Sequence, residues 1–530
     1  MLDPRNILAT SAQNRALDRD AIENYGMPGV ALMENAGRAA TEALHCHLLA
    51  KGVRPQGARI AIFCGSGNNG GDGYVIARHL AAKGYLPEVF LLAHPDRVTG
   101  DARVNLDIVG AMGLPIHLLA KEQLGPQGFN EALEGITRRP WAACVDALLG
   151  TGLSSPVSDR YLQLVEWLNA RSLPTLAVDI PSGLNADTGA IMGAAVQATL
   201  TVTFGVGMPG LLVGPGRDCS GQIEVADIGF PIGCIQALEG TGLALDEQQI
   251  RALFPTRPRH VHKGSFGHVL VIAGSPGKVG AAVLAGSAAL RSGAGLVTVA
   301  THALCRETIA AAQWELMSAS VFGEPDRPDW SGLDELLAAA TVVAFGPGLG
   351  NTPTTREGLS RVLEKFSGPV VIDADGLNVL AQDPTLLKTA KGQLVLTPHP
   401  GEMSRLAAKP ARELLGDALG ATRDLAKAFG AVVALKTATT TIAEAGGRYA
   451  VNTSGTPGMA SAGMGDVLTG IVAGFMAQGL FPFEATCAAV LAHGLAGERS
   501  AALHGQRATT AAAVLGQLGT VLKAWEESEL

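Results

Sequence analysis

Ala58-Arg-Ile-Ala-Ile-Phe-Cys64 runs without interruption into Gly65-Ser-Gly-Asn-Asn-Gly-Gly-Asp-Gly73, and a helical pattern follows from about Gly73 to Lys83. The apolar run reads as a buried strand. A glycine cluster between a strand and a helix places backbone N–H groups and the helix dipole where they hold an anion. The same alternation continues downstream, with strands expected at Leu86 to Ala93, Ala142 to Leu148, Thr175 to Ile180 and Ala198 to Phe204. Strands alternating with helices predict a doubly wound, mainly parallel sheet. Upstream, Ser11 to Leu49 has helical spacing around a glycine-proline break at Gly26 to Gly29.

From Gly229 to Arg259 the pattern loosens into short, polar, proline-containing sequence, the best boundary in the chain. The alternation then restarts with His268 to Ala273, Gly295 to Ala300, Thr341 to Phe345, Pro369 to Asp373, Gln393 to Thr397 and Ala431 to Lys436. The expected organisation is one α/β domain over 1–230, a linker over 231–245 and a second α/β domain over 246–530. The halves share no motif, which argues against duplication.

Bulk composition agrees with two packed domains. The 530 residues are 47% hydrophobic and 17% charged, and include 67 glycines, a balance that excludes disorder. With a net charge of -8 and no long basic run, nucleic acid is not an expected partner. Cys46, Cys64, Cys144, Cys219, Cys234, Cys305 and Cys487 are odd in number and lack a C-x-x-C pair, so reduced thiols are expected, not disulfides or zinc. The stretch from Met1 to Asp20 lacks the apolar core of a signal peptide. Glycine and proline interrupt Val467 to Phe483, which reads as buried core and not as a membrane span. A cytoplasmic protein, without membrane partners and forming a homo-oligomer, is expected.

Asn68, Asn69 and Asp72 stand out in the first loop, because a structural turn needs glycine and not these three together. Val145-Asp-Ala-Leu-Leu-Gly-Thr-Gly-Leu153 and Val178-Asp-Ile-Pro-Ser-Gly-Leu184 put Asp146 and Asp179 at predicted strand ends, where open α/β sheets bind ligands. Alone, either aspartate serves equally as a cap or turn residue.

Together with Leu32-Met-Glu-Asn-Ala-Gly37, these loops resemble the NAD(P)H-hydrate epimerase domain, a Rossmann-like three-layer αβα sandwich. The resemblance implies that Asn68, Asn69, Gly70, Gly71 and Asp72 contact a hydrated NADH or NADPH. It implies the same for Gly150, Thr151, Gly152, Leu153, Ser154, Ser155, Pro156 and Asp179. It also implies a potassium ion near Asn69, Asp146 and Ser182. The hydrate carries a hydroxyl on the carbon beside the ring nitrogen. The nitrogen lone pair can expel it and let it return on the other face, with Asp179 relaying the proton.

The second half carries Lys263-Gly-Ser-Phe-Gly267 before a strand, and three loops after strands: Gly346-Pro-Gly-Leu-Gly350, Asp373-Ala-Asp-Gly-Leu-Asn378 and Thr397-Pro-His-Pro-Gly-Glu-Met403. Gly455-Thr-Pro-Gly-Met-Ala-Ser-Ala-Gly-Met-Gly-Asp466 then leads into a helix over Val467 to Met476. Small residues admit a phosphoryl group, free N–H groups neutralise its charge, and Asp466 can deprotonate an attacking hydroxyl. As alternatives, Asp466 is only an N-cap, His399 a structural histidine, Lys436 the end of a strand, and His260, His262 and Lys263 a solvated entry segment.

Together these motifs resemble the NAD(P)H-hydrate dehydratase domain of the ribokinase-like superfamily. The resemblance implies that Gly348, His399 and Asp466 approach the hydrate. Lys436, Thr437, Ala438, Thr439, Thr440 and Gly465 would contact ADP or ATP, with Mg²⁺ on the phosphates. Two departures stand out: Lys436-Thr-Ala replaces the family's Lys-Gly-Ala, and Ala462-Gly-Met-Gly-Asp466 replaces Gly-Gly-Thr-Gly-Asp. The second removes a hydroxyl at position 464. The expected function is bifunctional repair: epimerisation of hydrated NADH and NADPH, then nucleotide-dependent dehydration. The alternatives are a small-molecule kinase of the same superfamily and a nucleotide-sensing N-terminal module. A redox dehydrogenase is the weakest, because no acidic residue about twenty positions past the loop serves a ribose.

Overall fold

In the computed structural model, residues 3–254, 257–322, 330 and 332–527 are described. The chain divides into two compact units, Met1–Gly242 and Leu243–Leu530.

In the first unit the strands are β1 (Arg59–Cys64), β2 (Leu86–Leu91), β3 (Ile116–Leu118), β4 (Trp141–Ala147), β5 (Thr175–Val178), β6 (Leu200–Phe204) and β7 (Gln222–Ala226). They form one parallel sheet in the order β3-β2-β1-β4-β5-β6-β7. The alternation of β1 explains the layers. Ile60, Ile62 and Cys64 pack into one apolar cluster with Tyr74 and Met33, while Ala61 and Phe63 pack into another with Phe129 and Leu164. A strand apolar on both faces is one buried between two helix layers. The strand order reverses between β1 and β4, the switch point beside which open α/β sheets bind ligands.

Helix α1 (Ser11–Glu23) opens with a capping box between Thr10 and Gln13, and α2 (Gly29–Ala50) begins where the glycine-proline break was read. The expected linker does not hold as one. Ile232–Gln236 is a short helix, and its Cys234 and Ile235 are buried with Leu17 and Ala21 of α1. Those apolar side chains tie the segment to the first unit, which therefore extends to Gly242.

The second unit has β8 (His268–Ile272), β9 (Leu296–His302), β10 (Met317–Phe322), β11 (Val342–Phe345), β12 (Val370–Ile372), β13 (Leu394–Leu396), β14 (Val432–Leu435), β15 (Thr440–Ala443) and β16 (Tyr449–Asn452). Their order is β10-β9-β8-β11-β12-β13-β14-β15-β16. The pairs are parallel up to β14, while β14–β15 and β15–β16 are antiparallel. The two antiparallel strands were not read from sequence. The strand order again reverses beside the first strand, between β8 and β11, where the Gly274 N–H donates to the Pro347 carbonyl at 2.8 Å. The apolar stretch past Asp466 is the helix Met464–Ala477, whose residues from Val467 onward are all buried. Among the described residues no helix is long and apolar enough to cross a membrane. All seven cysteines are unpaired, and only Cys46 is exposed.

Candidate functional sites

The loops after β1 and β4 meet at the first switch point around a cleft of about 600 Å³. Helix α3 (Asn68–Ala82) starts inside the glycine cluster, five residues earlier than its sequence pattern suggested, with Gly67 as its N-cap. Asn68 and Asn69 therefore occupy the first turn and Asp72 follows directly after it, and all three line the cleft. The glycines have a different job. A Cβ on Gly70 would lie 2.1 Å from the Gly65 carbonyl, and one on Gly71 would lie 2.6 Å from the Met33 sulfur. These glycines let the helix start press onto the strand loop and onto α2, and neither they nor Pro156 line the cleft. Gly150, Thr151, Gly152, Leu153, Ser154, Ser155 and Asp179 do line it.

The electrostatics of this site follow from its burial. Asp146, fully buried at the end of β4, accepts from the Ser182 N–H at 2.8 Å and the Ser182 hydroxyl at 2.6 Å. Burial still pushes its carboxyl up to about 6. Asp179 follows β5 with φ at 67°, left-handed backbone that Asp and Asn adopt more readily than most residues. Burial pushes Asp179 up to about 6, against a hydrogen bond from the Thr203 hydroxyl at 3.2 Å. Asp72 is held well above the ordinary carboxylate range by burial, reinforced by the Asp179 and Asp18 charges. Both side-chain polar atoms of Asn69 are buried without a partner. Native interiors rarely leave such atoms unsatisfied, so this amide is aimed at something the protein alone does not supply.

Among the cleft residues that escaped the sequence reading are Arg15 and Asp18 of α1. Nothing in the pattern of α1 separated them from a solvated helix face. Glu88, 21 positions beyond Gly67, is buried and held by Arg59, Arg139 and His117. It is committed to that charge cluster, so no ribose partner arises there.

In the second unit, the loop ends converge on Asp373, which is 1% exposed. Its carboxylate accepts from Lys436 Nζ at 2.7 Å and from the Thr469 hydroxyl at 2.7 Å. Lys436 therefore does more than end β14. A Cβ at Gly465 would lie 3.2 Å from Lys436 Nζ and 3.4 Å from an Asp373 oxygen, so the helix start closes directly over the pair. Ala374, between Asp373 and Asp375, has φ at 50°, a strained backbone of the kind concentrated at functional sites. Lys436→Met would leave a buried carboxylate without its cation, and breaking a buried pair costs about 3–5 kcal/mol. The expected result is a clear fall in the second unit's unfolding temperature by calorimetry; an unchanged temperature would show that the pair carries no structural load.

Asp466 lies in the first turn of the helix Met464–Ala477, whose N-cap is Gly463. It is not the cap. No hydrogen bond or ion pair engages its carboxylate among the described residues. Burial pushes it up to about 6, with the Asp373 charge adding and Lys436 opposing. The first intrahelical bond runs from the Val467 N–H to the Gly463 carbonyl, which leaves the N–H groups of Met464, Gly465 and Asp466 facing outward. The Met464 side chain is buried in the core cluster, so the lost hydroxyl at this position leaves those N–H groups in place.

His399 caps the helix Pro400–Ala407, its Nδ1 accepting from the Gly401 N–H at 3.0 Å. Gly348, with φ at 67°, packs against the Lys278 carbonyl and Ala281. The Thr437 hydroxyl donates to the Thr439 carbonyl at 2.5 Å, closing the turn before β15. Ala438 is exposed on that turn, while Thr439 and Thr440 are buried.

The comparisons with known proteins cover both units. Residues 269–518 match the family model described as NAD(P)H-hydrate dehydratase, and residues 29–210 match that described as YjeF-related protein N-terminus. The bifunctional NAD(P)H-hydrate repair enzyme Nnr of Moorella thermoacetica is 42% identical over 524 residues, 98% of this chain and 97% of that protein. The Escherichia coli protein of the same name is 36% identical over 507 residues, 95% of this chain and 92% of that protein. A solved ADP/ATP-dependent NAD(P)H-hydrate dehydratase from Bacillus subtilis is 29% identical with a TM-score of 0.47, covering 53% of this chain and 98% of that one.

Proposed function

This chain belongs to the family of bifunctional NAD(P)H-hydrate repair enzymes, and we propose that its two units divide the repair between them. The first interconverts the R and S hydrates of NADH and NADPH. The second dehydrates the S form using ADP or ATP. One observation carries this reading. Each unit sets a carboxylate raised to about 6 at the C-terminal edge of its sheet, close to the start of a helix with no side-chain cap.

In the first unit, Asp179 in its acid form protonates the departing hydroxyl while the ring nitrogen lone pair forms the carbon–nitrogen double bond. Water then adds to the other face and a proton is returned. A carboxyl near 6 exchanges protons readily around neutral pH. The oxygen donors Asn69, Asp146 and Ser182 suit a hard cation such as potassium, and the unpartnered Asn69 amide supports such an occupant. The ion would fix the loop after β4 and offset the negative charge of the cleft.

In the second unit, Asp466 takes the proton of the hydrate's hydroxyl, whose oxygen attacks the terminal phosphorus of the nucleotide. The outward N–H groups of Met464, Gly465 and Asp466 receive the charge growing on the phosphoryl oxygens. Phosphate then leaves with its bonding electrons as the ring nitrogen pushes, and loss of a proton from the neighbouring carbon restores the dihydronicotinamide. Mg²⁺ would be carried by the nucleotide phosphates, where it would supply charge neutralisation.

The test of the division is exchange of purified R and S hydrates without nucleotide, followed by chromatography. Interconversion without net loss of hydrate is expected; no exchange above the spontaneous rate would refute the first half. The pH dependence tests the second. A base must be ionised, so dehydration kcat/KM should be flat above about pH 7. It should fall about tenfold per unit below about 6, as Asp466 gains its proton.

A further inference from the structure

Epimerisation requires the hydroxyl to leave from one face of the ring and water to add to the other. A carboxylate on one side of the ring reaches only one of those oxygens. The cleft therefore has a second position to fill, and the residues lining it narrow the choice. Besides Asp179, the lining carboxylates are Asp18, Asp72 and Asp101. Asp101 sits against the first residue of α2, one of its carboxylate oxygens 2.3 Å from where a Gly29 Cβ would be. Asp72 is 8% exposed, and burial, with the Asp179 and Asp18 charges, raises its carboxyl, which disfavours the charged form that accepts a proton.

Asp18 remains. It comes from α1, a different element from the strand end that carries Asp179. Asn14, Asp18 and Ile22, spaced by four residues, all line the cleft. Leu17 and Ala21, on the adjoining face, are buried in the core beneath. The polar stripe of α1 is thus turned into the cleft as well as toward solvent. Asp18 is close enough that its charge raises both Asp72 and Asp179. Its own side chain is open to solvent at the cleft mouth, yet crowding by the walls pushes its carboxyl up to about 6.

We propose that Asp18 is a second catalytic carboxylate of the epimerase site, serving the face of the hydrated ring opposite to the one served by Asp179. This rests on the epimerase reading of the first unit. In one direction, the acid form of Asp179 gives its proton to the hydroxyl and the carbon–oxygen bond breaks. The nitrogen lone pair forms the iminium, and water departs on that side. On the other side a second water forms the new carbon–oxygen bond, the iminium electrons return to nitrogen, and Asp18 takes the water's proton. The two carboxyls exchange protonation states, solvent resets them, and no oxidant or reductant is involved. The reverse direction swaps their roles.

The arrangement has a consequence that a single relaying carboxylate does not share. If each face has its own carboxyl, removing one leaves the other able to expel and re-add water on its own side. In Asp18→Asn, assayed in ¹⁸O-labelled water with each purified epimer of NADH hydrate, epimerisation should fall by about 10²-fold or more. One epimer should still exchange its hydroxyl oxygen with solvent while keeping its configuration. In Asp179→Asn, the other epimer should be the one that exchanges. Asp18→Glu should recover part of the epimerisation. Dehydration by the second unit and the thermal unfolding profile should match the parent, showing that the variant folds. An Asp18→Asn protein that epimerises at the parent rate overturns the proposal, as does one in which both epimers lose exchange equally. A parent that fails to epimerise would instead refute the reading on which the proposal rests.

Discussion

Asp466→Asn is expected to abolish nucleotide-dependent dehydration, lowering kcat by about 10²–10⁴, the contribution of a positioned general base. At 1.36 kcal/mol per tenfold, that is about 3–5 kcal/mol of barrier. The substitution is unusually clean here. The Asp466 carboxylate engages no partner among the described residues, and the helix it sits on is capped at Gly463 without it. Asparagine fills the same space, so the outward N–H groups and the buried Met464 side chain stay where they are. Nucleotide binding and epimerisation should be unaffected. Measuring kcat with purified S hydrate, alongside nucleotide affinity by calorimetry, separates loss of the base from loss of the site. A variant retaining a tenth or more of the parent kcat would remove Asp466 from its role.

Asp179→Asn is expected to slow epimerisation by a comparable factor while leaving dehydration of S hydrate intact. The backbone argument makes the variant informative. Asp179 holds φ at 67°, a region asparagine occupies as readily as aspartate. Its side-chain oxygen can still accept from the Thr203 hydroxyl. What is lost is the exchangeable proton. The rate of R to S conversion, read by chromatography, should drop toward the spontaneous rate; full activity would show that the proton travels by another route.

Much of this architecture was legible in the sequence, because parallel strands buried on both faces leave continuous apolar runs such as Arg59–Cys64 and Val432–Leu435. The antiparallel strands Thr440–Ala443 and Tyr449–Asn452 were less visible: their threonines, tyrosine and asparagine leave no continuous apolar run of the kind Val432–Leu435 shows. The start of α3 was placed late because glycine argues against helix. Here packing prevails: Gly65, Gly70 and Gly71 all lie where a Cβ would clash.

The site loops were legible as motifs, but their connections were not. Asp373 and Lys436 are 63 positions apart, and nothing local to either announces the pair. Asp18 was missed for a related reason: on an amphipathic helix, a residue facing a cleft and one facing solvent carry the same pattern. The expected linker failed on three apolar residues, Cys234, Ile235 and Leu238, which the prolines and glycines around them obscured.

The central claim, one reaction per unit, is tested most directly with an equilibrated mixture of NADH-hydrate epimers, Mg²⁺ and ADP or ATP, following the return of dihydronicotinamide absorbance. The parent should recover the whole mixture, and Asp179→Asn should recover the S share quickly and the remainder only at the spontaneous rate. Asp466→Asn should recover nothing, and the two variants mixed should restore complete recovery. Rapid full recovery by Asp179→Asn alone, or any nucleotide-dependent recovery by Asp466→Asn at the parent rate, would contradict the account.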